Sequence, residues 1–354
     1  EGAVDRASGD RGWWFDFSAL ETEGDYYLWD AQNAVGSHRF SIQENVYADI
    51  MKAAVRMFFY QRCAFEKTAE FAGEDWADGP AFIHPGQDTE ARSVLDRDNP
   101  ATERDLSGGW MDAGDYNKYV TFAATPVHQM LAAYELYPDA FTDDYNIPES
   151  GNGIPDLLDE VHFEMLWLAK MQEPDGSVIA KLGETDHSGS TPPSTDTRPR
   201  YYVPPCSSST IAAAGMYAHA ALVFQGFEPW AEFAATLESQ AIDAWNAYHA
   251  NAKQDNCDDQ TVKSGDSDWS LDSQRSHSRT VAMYLHRLTG EEQYGAYAHA
   301  EINRVLSKPS PSATDPKPFQ WDGWYAIYHP HLMGALLGYA NSGLAAQSLV
   351  DATK

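Results

Sequence analysis

Cysteine is scarce: Cys63, Cys206 and Cys257 are the three in 354 residues. An odd, sparse set defines no disulfide framework, so cysteine usage assigns no compartment. Positive charge is scarce too. The 24 Lys and Arg stand against 53 Asp and Glu, a net charge of −29. Such a chain repels nucleic-acid phosphates and anionic lipids, which excludes a DNA or RNA reader and a membrane-surface protein. No apolar run reaches the roughly 18 residues of a transmembrane helix. The opening EGAVDRASGD lacks the apolar core of a signal peptide. Either a leader has been removed or the sequence begins inside a longer protein.

What is present supports a folded chain of one large domain or two: 43% of residues are hydrophobic and 22% charged. That balance excludes a disordered acidic tail. The aromatic share is high, with 11 Trp and 19 Tyr. It suits a large core, or a sugar cleft in which flat apolar rings carry a polar edge.

Residues 13–42 read as β-structure, with strands at 13–20, 26–30 and 38–42 punctuated by Gly24-Asp25 and Gly36-Ser37. Ser41 to Glu44 has capping-box spacing, and Val46, Ile50, Ala53, Ala54, Met57 and Phe58 recur at helical intervals behind it. Further helices are predicted at 127–137, 154–172, 208–224, 231–250, 277–288, 291–306 and 326–340. Ser207 to Thr210 suits a helix N-terminus, and Gly290 suits a stop. Long loops at 66–107, 173–207, 251–272 and 307–324 separate helices joined elsewhere by short links, a pattern of stacked hairpins.

The densest chemical text is Ser107-Gly108-Gly109-Trp110-Met111-Asp112-Ala113-Gly114-Asp115-Tyr116-Asn117-Lys118-Tyr119. Two carboxylates three residues apart perturb each other's protonation, and one can act as a general base positioned by the other. A calcium loop or a capped turn fits the same spacing.

This segment resembles the DAGD signature of glycoside hydrolase family 9. The stretch Glu149-Ser150-Gly151-Asn152-Gly153-Ile154-Pro155-Asp156-Leu157-Leu158-Asp159-Glu160 resembles a second motif of that family, some 40 residues downstream. Weaker echoes are Thr191-Pro192-Pro193, Pro199 to Tyr202 and Phe319 to Gly323. The resemblance implies a mainly α fold: an (α/α)6 toroid over 43–354, preceded over 1–42 by the remnant of an immunoglobulin-like β-sandwich. It implies endo-acting, inverting hydrolysis of a β-1,4-glucan. Asp115 would be the water-activating base and Asp112 its helper. An inverting site separates acid and base by about 6.5–9.5 Å, so the two aspartates cannot fill both roles. The family's acid is a Glu after an HHR segment, which these 354 residues lack. It is expected beyond Lys354, where the helical pattern is still running. Glu149 and Glu160 belong to the structural motif.

Relatives with the sandwich often hold zinc on two Cys and two His. Here Cys63 matches one ligand, while Phe82, Ile83 and Met111 stand at the other three positions. Zinc is therefore not expected, and Cys63 reads as a small buried apolar residue. No cofactor is required. Calcium is an option for the acidic loops around Asp255–Asp272, which solvation explains equally. Substrate-binding candidates are Trp321, at a family position that stacks on sugar, with Trp110, Tyr116, Tyr201 and Tyr202. Simple packing is the alternative for Trp321, Tyr201 and Tyr202. The expectation is a secreted, monomeric endo-β-1,4-glucanase acting on a β-1,4-glucan, without nucleic-acid or membrane partners. An exo-β-glucosaminidase on chitosan oligosaccharides and a non-catalytic β-glucan binder are the alternatives.

Overall fold

The structure is a computed structural model that describes residues 4, 8–12, 15–187, 189–306, 330–345, 347 and 350. Trp321, Trp13, Trp14 and the 307–324 loop lie outside the described residues. The chain divides into two compact units, Glu1–Ala54 and Val55–Lys354.

The first unit carries two small antiparallel sheets. Strand β1 (Gly24–Tyr26) pairs with β4 (Phe40–Ile42), and β2 (Trp29–Asp30) with β3 (Val35–Gly36). The described part of the expected 13–20 strand forms no strand. The Ser41–Glu44 capping box is also corrected. Ser41 lies in β4 and donates its hydroxyl to Asp25 Oδ1 at 2.6 Å, and helix α1 starts later, spanning Ala48–Gln61.

The second unit is helical. A short α2 (Ala69–Ala72) is followed by α3 (Val120–Leu136), α4 (Asp156–Lys170), α5 (Ser207–Phe224), α6 (Ala231–Ala250), α7 (Leu271–Thr289), α8 (Glu292–Leu306) and α9 (Pro330–Asn341). Helices α3, α5 and α7 pack in succession, and α9 packs on both α7 and α3. Helices α4, α6 and α8 lie against this inner set. The alternation of inner and outer helices is that of stacked hairpins. Helix α5 is apolar on nearly every side, as an inner helix must be. Its Ala-rich surface lets neighbours approach closely: a Cβ at Gly215 would come within 3.2 Å of both His128 and Val281.

Helix ends follow local chemistry. Cys206 and Ser209 form a capping box at the start of α5. Gly290 ends α7 in the left-handed conformation at φ 72°. Two helices start earlier than the pattern suggested. Helix α3 carries Pro126 inside it, and α7 opens with a polar turn whose N-cap Ser270 accepts from the Ser273 amide.

A four-stranded sheet, ordered β5-β8-β7-β6, lies between the helices in sequence: β5 is Arg92–Ser93, β6 Lys118–Tyr119, β7 Lys181–Gly183 and β8 Tyr201–Tyr202. Strand β6 leaves the Asp112–Asp115 loop and leads directly into α3.

Cysteine usage is a further correction. Cys206 and Cys257 form a disulfide across 51 residues, with Cα atoms 6.2 Å apart. Spacing alone carries no signal for such a long closure. Cys63 is a free, fully buried thiol.

Candidate active site

The Ser107–Tyr119 segment is pinned at both ends. The Cys63 amide donates to Gly109 O at 2.8 Å and the Met111 amide to Gln61 O at 2.9 Å, which ties the loop to the end of α1. The buried Lys118 ammonium pairs with Asp88 at 2.7 Å and donates to the carbonyls of Leu106 and Gly108. Gly109 is required: at φ 72°, a Cβ would stand 2.6 Å from Trp167 Cγ.

Asp112 and Asp115 share the hairpin-like turn between Met111 and Lys118. The Asp112 amide donates to Asn117 O at 2.8 Å, closing the turn. Asp115 Oδ1 accepts from the Asn117 amide at 3.2 Å, and Oδ2 accepts the Tyr119 hydroxyl at 2.6 Å. The same hydroxyl lies 2.6 Å from Lys263 O and accepts the Ser264 amide. It has one proton and two acceptors, and the anionic carboxylate is the stronger. Burial, and then its bond to Asp115, push the Tyr119 phenol upward in pKa, so it stays a donor. The Asn117 side chain is wedged against β7, and a Cβ at Gly183 would overlap it. His187 Nδ1 stands 3.9 Å from Asp115 Oδ2 on an exposed loop.

Asp112 has a different environment. Partial burial, then the charges of Asp115 and Asp266, raise its pKa. It lines a cavity of about 300 Å³ together with Gln61, Trp110, Tyr119, Phe122 and Glu164. Glu164 is buried and accepts the Trp110 amide at 2.7 Å. Burial pushes its carboxyl up to about 8.

The substrate candidates fall in different places. Trp110 lines the cavity, with its ring 4.6 Å from Phe58. Tyr116, at φ 57°, packs on Phe82 and meets Thr191 Oγ1 through its hydroxyl at 3.2 Å. Tyr201 and Tyr202 lie in β8, outside that cavity. Arg97 stacks over the Tyr201 ring, Arg104 over Tyr202, and the Tyr202 hydroxyl donates to Thr102 O.

The zinc positions do not fit the metal. Cys63, Phe82 and Met111 pack with Ala81 and Tyr116 in one apolar cluster, and Ile83 is partly exposed. Burial pushes the Cys63 thiol up to about 11. In the 251–272 loop, Asp258 is engaged by Lys181 at 2.6 Å and by Ser267, and Asp259 by Thr261.

Four residues of the site, Asn117, Lys118, Tyr119 and Glu164, were not among the expected ones. The first three lie inside the DAGD segment, and Glu164 stands one helical turn beyond Glu160, the end of the second motif. The Lys263–Ser264 segment carries no local signal, because only the tertiary fold brings it to Tyr119.

These features belong to a helical-hairpin domain with an aspartate-bearing loop beside a cavity. The profile of glycosyl hydrolase family 9 matches residues 47–351, and the chain belongs to that family. It is 37% identical over 219 residues to endoglucanase D of Acetivibrio thermocellus, covering 60% of this chain and 34% of that protein. It is 34% identical over 249 residues to a xyloglucan-specific endo-beta-1,4-glucanase of Bacteroides ovatus, covering 67% of this chain and 40% of that protein. Among solved structures, a metagenome-derived glycoside hydrolase family 9 endoglucanase superposes with a TM-score of 0.74 at 28% identity, covering 98% of this chain and 64% of the other. The fold is thus the (α/α)6 type of this family. The chain spans about a third of the length of the first of these curated relatives and about two fifths of the second.

Proposed function

We propose that the protein hydrolyses β-1,4-glucosidic bonds within glucan chains, with inversion, and that Asp115 activates the attacking water. The observation that carries this is the Asp115 carboxylate, held by the Tyr119 hydroxyl and the Asn117 amide within the family's DAGD loop. A base with both oxygens oriented has a fixed direction in which to take a proton. Asp112, whose proton affinity is raised by burial and by Asp115, sits beside it and steers the same water. Both aspartates serve the water side, so the leaving-group proton comes from a separate carboxylic acid across the bond. Trp110 and Tyr116, in the same loop, are the sugar-contacting candidates closest to the base in sequence.

The names of the relatives support a β-1,4-glucan substrate and do not favour the chitosan reading. The Cys206–Cys257 disulfide supports export to an oxidising compartment, and no described helix is long and apolar enough to cross a membrane. The four short strands between Gly24 and Ile42 support reading residues 1–42 as part of an immunoglobulin-like module ahead of a catalytic domain from residue 43. The enzyme would act as a monomer without a required cofactor.

The test is an assay on carboxymethyl-cellulose, cello-oligosaccharides and chitosan oligomers, with the anomer of the product followed by NMR. An α-anomer released from the two glucans is expected. Cleavage of chitosan oligomers alone would overturn the substrate, a β-anomer would overturn the mechanism, and binding without cleavage would favour a glucan-binding protein.

A further inference from the structure

Arg200 stands immediately before β8 and is fully buried. Burying a guanidinium is costly unless it is paired and hydrogen-bonded, and this one is held from several sides. Its own amide donates to Gly86 O at 3.0 Å. The Phe82 ring, 4.0 Å from Cζ, covers the guanidinium. Nε donates to Asp88 Oδ1 at 2.6 Å, and the other oxygen of that buried carboxylate takes the Lys118 ammonium. Nη1 faces the Glu184 carboxylate at 3.9 Å. Nη2 donates to Tyr116 O at 2.9 Å.

The contact with Tyr116 O reaches the base. Tyr116 O and the Asn117 N–H belong to one peptide unit, which is planar and trans. In such a unit the C=O and the N–H point in opposite directions. Arg200 holds one edge of this plane, and the other edge donates to Asp115 Oδ1 at 3.2 Å. Tyr116 sits at φ 57°, a region that a bulky residue rarely occupies. Its own backbone preference therefore does not set the plane, and its surroundings must. Rotation of the plane would swing the N–H away from the carboxylate. A cation on the oxygen also polarises the unit and strengthens the donor at its far edge.

We infer that Arg200 is a positioning residue for Asp115, acting through the Tyr116–Asn117 peptide. The inference rests on the proposed role of Asp115 as the base. Arg200 is buried, so it meets no substrate and acts through the turn alone. The two oxygens of Asp115 are then oriented from two directions. Tyr119 on β6 holds Oδ2, and the segment before β8 holds Oδ1 through the peptide. Asp88 joins the two directions, because it pairs with Arg200 and with Lys118, the neighbour of Tyr119 on β6.

Two readouts keep the geometry and the reaction apart. The sequence holds two Tyr-Asn pairs, 116–117 and 145–146. Isotope labelling of Tyr carbonyl carbons and Asn amide nitrogens isolates these two amides in an NMR spectrum of the full chain, with Asn146 as the internal reference. Arg200→Met should move the Asn117 signal upfield, as its hydrogen bond weakens, and leave Asn146 in place. On cello-oligosaccharides, well below the melting temperature, kcat should fall about three- to tenfold with KM unchanged. Should Arg200→Met fail to fold, Arg200→Lys carries the same test, since it keeps a charge beside Asp88 and gives up the fork. An unmoved Asn117 signal in a folded variant overturns the inference. So does an unchanged kcat with only the melting temperature lowered. Near-normal turnover in Asp115→Asn would instead overturn the base, and the Asn117 signal would still decide whether Arg200 orients that carboxylate.

Discussion

The Tyr119 hydroxyl donates to Asp115 Oδ2 at 2.6 Å, from a residue four positions further along the same chain. The loop ends between them: Asp115 is on the turn, and Tyr119 is on β6, whose register is fixed by β7. The sheet therefore sets where the aspartate points. Removing the hydroxyl in Tyr119→Phe leaves the ring in place and frees one carboxylate oxygen. A hydrogen bond to a charged group contributes about 1.5 kcal/mol, so kcat should fall roughly tenfold. KM on cello-oligosaccharides should be unchanged. A raised KM with intact kcat would show that Tyr119 binds substrate instead.

Asp115→Asn keeps the shape of the side chain and the bond from the Asn117 amide but cannot take a proton. General-base catalysis contributes about 10²–10⁴-fold, so turnover should drop by at least a hundredfold while oligosaccharide affinity stays within a few-fold. Calorimetric titration beside the activity assay separates the two. Near-normal turnover would remove Asp115 from the proposed role.

The helical part of this architecture was legible in the residues because its signals are local. The stripe Ile154, Leu157, Leu158, Val161, Met165, Leu168 lies on α4, and Gly290 ends α7 where its left-handed conformation permits. Signals that depend on distant partners were not legible. Ser41 has capping-box spacing, but its hydroxyl is used by Asp25 across a strand pair. Cys206 and Cys257 pair because α5 and the 251–270 loop meet in space. The site was half visible: the DAGD loop names Asp112 and Asp115, whereas the environment that distinguishes them comes from Tyr119, Lys263 and Asp266, two of which lie far away in sequence.

Glu164 gives a pH dependence. Its carboxyl rises from 4.5 to about 8 on folding, mainly through burial. Between those values the folded chain holds a proton that the unfolded chain has released, so stability falls as pH rises across that window. Glu164→Gln mimics the protonated form and keeps an oxygen for the Trp110 amide. It should leave Tm unchanged near pH 4 and raise it near pH 8, where the gain in stability is on the order of 1–3 kcal/mol. Equal melting curves for the two proteins at pH 8 would show that folding does not raise the Glu164 carboxyl.

Arg62 should be among the costliest residues to truncate. It is fully buried and bonds Glu160, itself fully buried, through Nε and Nη2 at 3.1 and 3.0 Å, and Glu149 through Nη1 and Nη2. Removing one partner of a buried ion pair strands the other charge, at about 3–5 kcal/mol. Arg62→Ala should lower the urea midpoint accordingly. Arg62→Ala/Glu160→Gln should recover part of the loss, because the stranded charge is gone. A double variant no better than the single would place the cost in lost packing against Phe65 and Phe163, which the guanidinium also covers.

The disulfide connects stability to Asp115, the proposed base. Cys257 anchors the 251–270 loop to the N-terminus of α5, and that loop brings Lys263 O and the Ser264 amide to the Tyr119 hydroxyl. Closing 51 residues contributes up to about 4 kcal/mol in the chain-entropy account. Cys257→Ser should therefore lose about 2–4 kcal/mol of stability and unfold at a lower denaturant concentration, and dithiothreitol should do the same to the wild-type protein and nothing further to the variant. Because the loop also presses on Tyr119, the reduced protein should lose kcat well below its melting temperature, in proportion to the freedom the loop gains. If kcat is unchanged at room temperature while Tm falls, the loop keeps its place without the cross-link. The contacts at Tyr119 and the Asp258–Lys181 pair are then sufficient to hold it.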